Sequence, residues 1–438
     1  MSTERGEGSS NPGAGAKRVR APRTSDGPAT EAPPPPPLPV DLQLEVVART
    51  DDAATVLRCA AANKPLRGAI LGPGFRRLLA LRAAANGGFD PALLVAVSYQ
   101  LRSRDSLSSH IVVQPSRRLR LDTTLPLRLS ETASTSRDAL LVLRRKLDSG
   151  EGPCLSRDIN AELRVVNTFT GHVTSLPCMD LRPAQDSSCI FWPTLLTVDG
   201  AGRSFELLAM DKLSSRAADE LLRTQTFLSH KGEWGDVREV HLPLGYNRII
   251  SRYTAPVVIG RTVHWLCNSK TISLNDKMII LALQADAAQA MAIELPQGCL
   301  RSLDIMSYDK KGLILATTAD GTRLSLVVAE GLVISMWTLT PDNGSNSWSR
   351  QVVIRRRDID RQVTTGPLAY QRITFQRFGG RSGTVLFWMH LVGLVQINLA
   401  TKKALVVRRD NDGEKIDDEH ALLHEIDLVS LLQGMRPF

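Results

Sequence analysis

The sequence predicts an α+β multidomain chain in which a small all-α domain precedes a much larger all-β one. Between residues 38 and 85, apolar residues recur at helical spacing behind good N-cap residues. From Gly150 onward they fall into a long series of short runs separated by hairpin-sized gaps. So many short strands favour a repeated antiparallel sheet over a sandwich, which needs fewer.

The 438 residues provide for two or three domains, and the 43% hydrophobic share is that of an ordinary globular protein. Aromatics are scarce at 5%, and all six tryptophans lie between Trp192 and Trp388, so the largest core pieces belong to the β region. The net charge of +9 raises nucleic acid or an anionic membrane as partners. The basic residues are dispersed, however, in clusters such as Arg117-Arg118, Arg144-Arg145-Lys146 and Arg355-Arg356-Arg357 beside strand-like runs. Positive charge on a solvent face or sheet edge is the ordinary explanation there, and no nucleic-acid module accompanies them. Six cysteines without a CxxC pair fit neither a zinc site nor a disulfide framework. No secretory h-region opens the chain, and the longest apolar run, 385–395, is too short for a bilayer. The expectation is a soluble protein of the cytoplasm or nucleus, with no membrane partner and with nucleic acid disfavoured.

Residues 1–37 are Gly, Ser, Pro and Ala with scattered charge, ending in Pro33 to Pro37, and read as a disordered tail with a stiff extended end. Pro33 to Pro37 could bind an SH3- or WW-like partner and Lys17-Arg18-Val19-Arg20 could serve nuclear import; both patterns are common by chance in such tails. Residues 38–85 form the helical domain. Asp41 caps a first helix with Leu42, Leu44, Val46 and Val47, and Asp51 or Asp52 a second with Val56, Leu57, Ala60 and Ala61 on one face. Pro65 suits the first turn of a third, and Pro73 opens a fourth carrying Phe75, Leu78 and Leu79. Residues 86–150 read as a connecting segment with first strands near 92–97, 111–113, 119–125 and 139–143, and a Ser/Thr-rich flexible loop at 129–137. Residues 151–438 hold the β array, with helix expected only at 215–223 and at 421–432. Internal repetition is faint. Asn167 to Gly171 and Asn398 to Thr401 share a strand-end turn, and Trp265 and Trp337 hold similar strand positions. Neither WD40 nor kelch signatures are present.

The order of residues in the helical domain resembles an F-box. That family opens with Leu-Pro and an acidic-Leu helix, matched by Leu38-Pro39-Val40-Asp41-Leu42 and Glu45-Val46. A helix ending in Arg-Cys follows, matched by Val56-Leu57-Arg58-Cys59, and then a basic segment with Ile-x-x-Pro-x-Phe, matched by Lys64, Arg67, Ile70, Pro73 and Phe75. Leu66 stands where many members carry Trp, which puts less area into the adaptor contact. The resemblance implies docking to a Skp-type adaptor through Leu38, Pro39, Leu42, Val46, Val56, Leu57 and Ile70.

The later part resembles plant F-box-associated domains. Asn167-Thr168-Phe169-Thr170-Gly171 to Leu176-Pro177 is similar to their opening, with Thr168 where Pro is usual. Arg261 to Leu266, Ile293-Glu294-Leu295-Pro296 and Trp337-Thr338-Leu339 are similar to later elements in the family's order. The chain as a whole resembles the grass-type F-box proteins, which implies a propeller-like β domain that binds a target. The implied function is the substrate-recognition subunit of a Skp–cullin–F-box ubiquitin ligase, with the cullin reached through the adaptor. The receptor itself is implied to be non-catalytic and free of cofactors. The residues agree in lacking GxSxG, P-loop, HExxH and similar motifs. His420 and His424, four apart on the expected terminal helix, read as a solvent-facing pair in the absence of a third ligand. Asp358 and Asp360 read as loop acids. The alternative is a propeller-like ligand-binding protein or enzyme outside any ligase, which would show a deep pocket with convergent polar groups.

Overall fold

The computed structural model describes residues 38–50, 53–85, 87–102, 107–113, 131–146, 161–168, 171–181, 193–199, 202–211, 221–243, 255–268, 278–299, 312–342, 345–364, 372–410, 415–416 and 421–434. The readings of the tail at 1–37 and of a strand at 119–125 lie outside these residues.

Four helices open the described chain: α1 (Val40–Ala48), α2 (Ala53–Ala62), α3 (Lys64–Leu71) and α4 (Pro73–Ala85). Asn63 caps α3, its Oδ1 accepting from the Leu66 amide at 3.0 Å, and Pro65 sits in the first turn where no donor is missed. Val47, Val56, Ala60, Leu66, Ile70, Phe75 and Leu79 close a small core. That core does not stand alone, because Val95 and Ala96 of the next strand and Ile426, Leu428 and Leu432 from the far end of the chain complete it. Arg82 locks the bundle together. Its Nη1 donates to the carbonyls of Ala48 and Thr50, each at 2.8 Å, and its Nη2 pairs with Asp90.

After a 3₁₀ turn at Pro91–Leu93 come β1 (Leu94–Arg102) and β2 (Leu107–Val113), which pair with each other. Five antiparallel sheets of consecutive strands follow. The first holds β3 (Glu131–Arg137), β4 (Leu140–Lys146), β5 (Ala161–Asn167) and β6 (Val173–Ser175). In the second, β7 (Thr194–Val198), β8 (Phe205–Asp211) and β9 (Leu221–Leu228) are followed by β10 (Glu233–Trp234) and β11 (Arg238–His241), both paired along β9. The third has β12 (Val257–Ile259), β13 (Thr262–Asn268), β14 (Met278–Gln284) and β15 (Met291–Glu294). The fourth has β16 (Leu313–Thr317), β17 (Leu324–Glu330), β18 (Val333–Asp342) and β19 (Ser345–Arg355), after which α5 (Arg356–Val363) leads on. The fifth has β20 (Ile373–Phe378), β21 (Thr384–Met389), β22 (Gly393–Asn398) and β23 (Ala404–Arg409). Finally β24 (Lys415–Ile416) and β25 (Leu422–Glu425) return to pair with β1, and α6 (Leu428–Gly434) packs under the helical bundle.

These sheets are the blades of a propeller-like ring. The leading strand of each sits inside, where β3 meets β7, β12 meets β16, β16 meets β20, and β25 meets both β20 and β3. The second and third sheets are joined by His241, whose amide donates to the Ala288 carbonyl at 2.9 Å, and by the Arg261–Glu206 ion pair. Hydrophobic clusters fill every interface in turn, ending with Leu141, Leu143 and Val166 of the first blade against Leu422 of β25. A strand at the inside or in the middle of a blade is therefore covered on both faces. That is why Met278–Leu283 and all of β16 are buried without a break rather than alternating, whereas outer β15 is buried nowhere.

Several expectations change. The boundary at 150–151 falls inside the first blade, whose strands lie on both sides of it. The stretch 131–137, expected as a loop, is the inner strand β3, whose hydroxyl-rich sequence is tolerated because it pairs on one edge with β4. The expected helix 421–432 begins as strand, because β1 offers Leu422 to Glu425 a ladder worth more than their helical spacing. The residues 221–223 belong to β9, and Asp358 and Asp360 lie on α5. The repeat of Asn167 and Asn398 is real, since both end the third strand of a blade. Trp265 and Trp337 sit on second and third strands respectively and are not equivalent.

Candidate functional site

Two surfaces have the character of sites. The first is on the helices. Leu44, Val47 and Ala48 turn one side of α1 inward, and the opposite side carries Leu42 and Val46, one turn apart, at 49% and 59% exposure. Val40 is also exposed, as are Leu38 and Pro39, which precede it in the chain. The seven residues implied by the F-box resemblance thus divide. Leu38, Pro39, Leu42 and Val46 are exposed, and Leu57 is half-buried against the bundle core. Val56 and Ile70 are 1% exposed inside that core, so they hold the helices and do not face a partner. Leu66 is buried beside them, and the missing Trp concerns packing in the bundle. Ile70→Val should lower stability by about 1 kcal/mol with the α1 surface unaltered, as read by urea unfolding.

The second surface is the mouth of the ring, where inner strands end. Arg137 closes β3, and Asp138 and Ala139 turn the chain at φ 46° and 72°. Val198 ends β7, Gly260 follows β12, Arg381 lies in the turn after β20, and Asp427 follows β25. Together with Leu196 and Thr197 these residues line a cavity of about 270 Å³. The Arg381 Nε donates to Asp138 Oδ1 at 2.6 Å, and its Nη2 lies 3.1 Å from Asp427 Oδ2. Behind it Glu425 accepts from the amides of Ser382 at 2.7 Å and Arg381 at 3.2 Å. Desolvation raises the Glu425 carboxyl, against the lowering effect of those hydrogen bonds. No local pattern marks this cluster, because Asp138 and Arg381 are 243 residues apart and meet only when the ring closes.

His424 is not on a solvent-facing helix. It is 4% exposed on β25, with Nε2 2.8 Å from Ser98 Oγ on β1 and no partner for Nδ1, while His420 lies outside the described residues. Burial lowers its pKa to about 4. Among the described residues no group of three metal-ligating side chains occurs, and no helix is long and apolar enough to cross a membrane.

A family model described as a domain of unknown function, DUF7595, matches residues 96–438, which take in nearly all of the ring. No curated protein matches the chain. Solved structures with some similarity to this chain include a putative 6-phosphogluconolactonase from Bacteroides uniformis ATCC 8492, 15% identical, covering 66% of this chain and 68% of that one at a TM-score of 0.30. A protein of unknown function from Dyadobacter fermentans DSM 18053 is 13% identical over 64% of this chain and 84% of that one, with a TM-score of 0.35. An alpha-L-arabinofuranosidase from Lactobacillus brevis is 12% identical over 68% of this chain and 89% of that one, with a TM-score of 0.30.

Proposed function

From the premise that this chain belongs to the DUF7595 family, we propose that it is the target-binding subunit of a Skp–cullin–F-box ubiquitin ligase. The observation that carries this reading is the second apolar side of α1. The bundle already has a complete core, yet Leu42 and Val46 remain in water on the other side of α1, and Val40 is exposed at its first turn. Fully burying such a side chain is worth about 1.5–3 kcal/mol. Several together can offset the costs of association with an adaptor. The bundle is fixed to the closing blade through Val95, Ala96, Ile426 and Leu428, so an adaptor held on α1 would hold the ring in a set orientation. The receptor does no chemistry in this reading, the cullin is reached through the adaptor, and its place is the cytoplasm or nucleus. A ligand-binding role outside any ligase is the second reading, favoured by the cavity at the ring mouth.

The test is co-purification with a Skp-type adaptor. Wild type should retain it. Leu42→Asp/Val46→Asp, and to a lesser degree Leu38→Ala/Pro39→Ala, should lose it while unfolding at the wild-type temperature. Equal recovery by wild type and the double Asp variant, or no recovery by either, rejects the adaptor reading.

A further inference from the structure

We propose that the cavity at the ring mouth binds a carboxylate presented by a protein segment, either an acidic side chain or a chain end. The inference does not depend on the adaptor reading, since none of the cavity lining belongs to the four N-terminal helices. It rests on an imbalance between two arginines that share one wall. Arg381 is compensated twice, by Asp138 at 2.6 Å and by Asp427 at 3.1 Å. Despite desolvation, those charges hold its pKa above the ordinary arginine value. Arg137 is in the opposite condition. Its Nη1 is committed to two neutral carbonyls, Leu195 at 3.1 Å and Leu196 at 2.7 Å, and its Nε lies 3.6 Å from an Asp138 already engaged by Arg381. Its Nη2 has no hydrogen-bond partner among the described residues. Desolvation lowers the Arg137 pKa, Asp138 only partly restores it, and the charge of Arg381 adds to the lowering. A guanidinium whose side chain is still 33% exposed, at a cavity wall and with one nitrogen left over, can take up an anion.

The rest of the lining narrows the class. Asp138 and Asp427 stand on the same wall, so a dianion such as phosphate meets more repulsion than a single carboxylate does. The guanidinium fork matches a planar carboxylate, and Val198, which is half-buried, offers apolar contact to a short methylene stem. At about 270 Å³ the cavity is small against the usual cofactor or drug-sized site of about 300–1,000 Å³. It has room for one or two residues of a chain, with the remainder lying outside.

Ligand-observed NMR on the full chain tests this with three blocked tripeptides. One is acetylated and amidated glycyl-glutamyl-glycine, one its glutamine counterpart, and one acetyl-triglycine with a free terminal carboxylate. At least one carboxylate probe should bind about tenfold more tightly than the glutamine peptide, and which one does so identifies the source. Arg137→Gln and Thr197→Phe should each weaken that probe by about tenfold. Thr197→Phe keeps every charge and fills the space, so it decides alone if Arg137→Gln fails to fold. Equal binding or no binding of all three probes overturns the proposal. Unchanged binding by Thr197→Phe, or displacement by inorganic phosphate more readily than by acetate, does so too.

Discussion

Gly393→Ala should destabilise the chain by about 3 kcal/mol or more, a larger loss than any conservative core truncation proposed above. Gly393 starts β22 at φ 114°, a backbone state closed to residues with a Cβ. Space is closed as well. A Cβ there would run into the carbonyl oxygen of Arg408 and come within 2.6 Å of the Asp410 amide nitrogen. Both belong to backbone that pairs with this strand, since Gly393 faces Arg409 in the register. The preceding turn gives no slack, because Leu391 is already at φ 65° and the Asp410 amide donates to Val392 at 3.0 Å. Gly260→Ala is the control. Its φ of 60° is also left-handed, but an added Cβ would have nothing within 4 Å, so a loss of only about 1–2 kcal/mol is expected. Urea unfolding of the two variants separates strain from collision; equal losses would show that the close approach at Arg408 does not matter.

Acidification should weaken the closing sheet through His424. The imidazole is buried neutral, and its pKa falls to about 4 because burial disfavours the charged form. The unfolded chain takes up this proton near pH 6.5, the folded one only near 4. Stability from this group is therefore intact above about pH 6.5 and falls as pH drops, until the loss levels off near 4 at about 3 kcal/mol. Neighbouring Glu425 acts with the opposite sign, its raised pKa making the folded state the better proton acceptor above the ordinary carboxyl range. Total stability is thus not the readout. The difference between wild type and His424→Gln should shrink by about 3 kcal/mol between pH 7.5 and 4, a change Glu425 and Arg381 share in both proteins and so cannot produce. A constant difference across that range would mean that His424 is reached by water or finds a partner for its charge.

Legibility in the sequence followed the range of the interactions. Helix-opening prolines such as Pro65 and Pro73 and the apolar runs of β14 and β16 act within a few residues, and the four helices and most strands could be read from them. The end of the chain could not. Leu422, Ile426 and Val429 have helical spacing, but Leu422 to Glu425 are drawn into strand by β1, whose residues lie more than 300 positions earlier. The same distance hid the mouth. Arg137 reads as a basic residue after a Ser/Thr stretch, Arg381 as one beside Gly379-Gly380, and Asp427 as part of a terminal helix. Each is unremarked alone, and only the curvature of a closed ring sets their charges against one another. For the proposed adaptor surface, inward and outward residues could not be told apart from the order of residues. Val56 on α2 and Ile70 on α3 are buried against residues of α6 and β1, which lie far away in sequence, whereas Leu42 and Val46 on α1 have no such cover.

The pairing of β25 with β1 also sets a timetable. His424 is made 326 residues after the Ser98 it contacts, and Ile426, Leu428 and Leu432, the floor of the helical bundle, come later still. During synthesis α1 to α4 leave the ribosome before the blades and remain without that floor until every blade between has been made. Long-range closure of this kind is slow as well as late. The helical bundle, made before the ring, consequently becomes rigid only with it, and a partner gripping the ordered bundle would select chains whose ring is already shut.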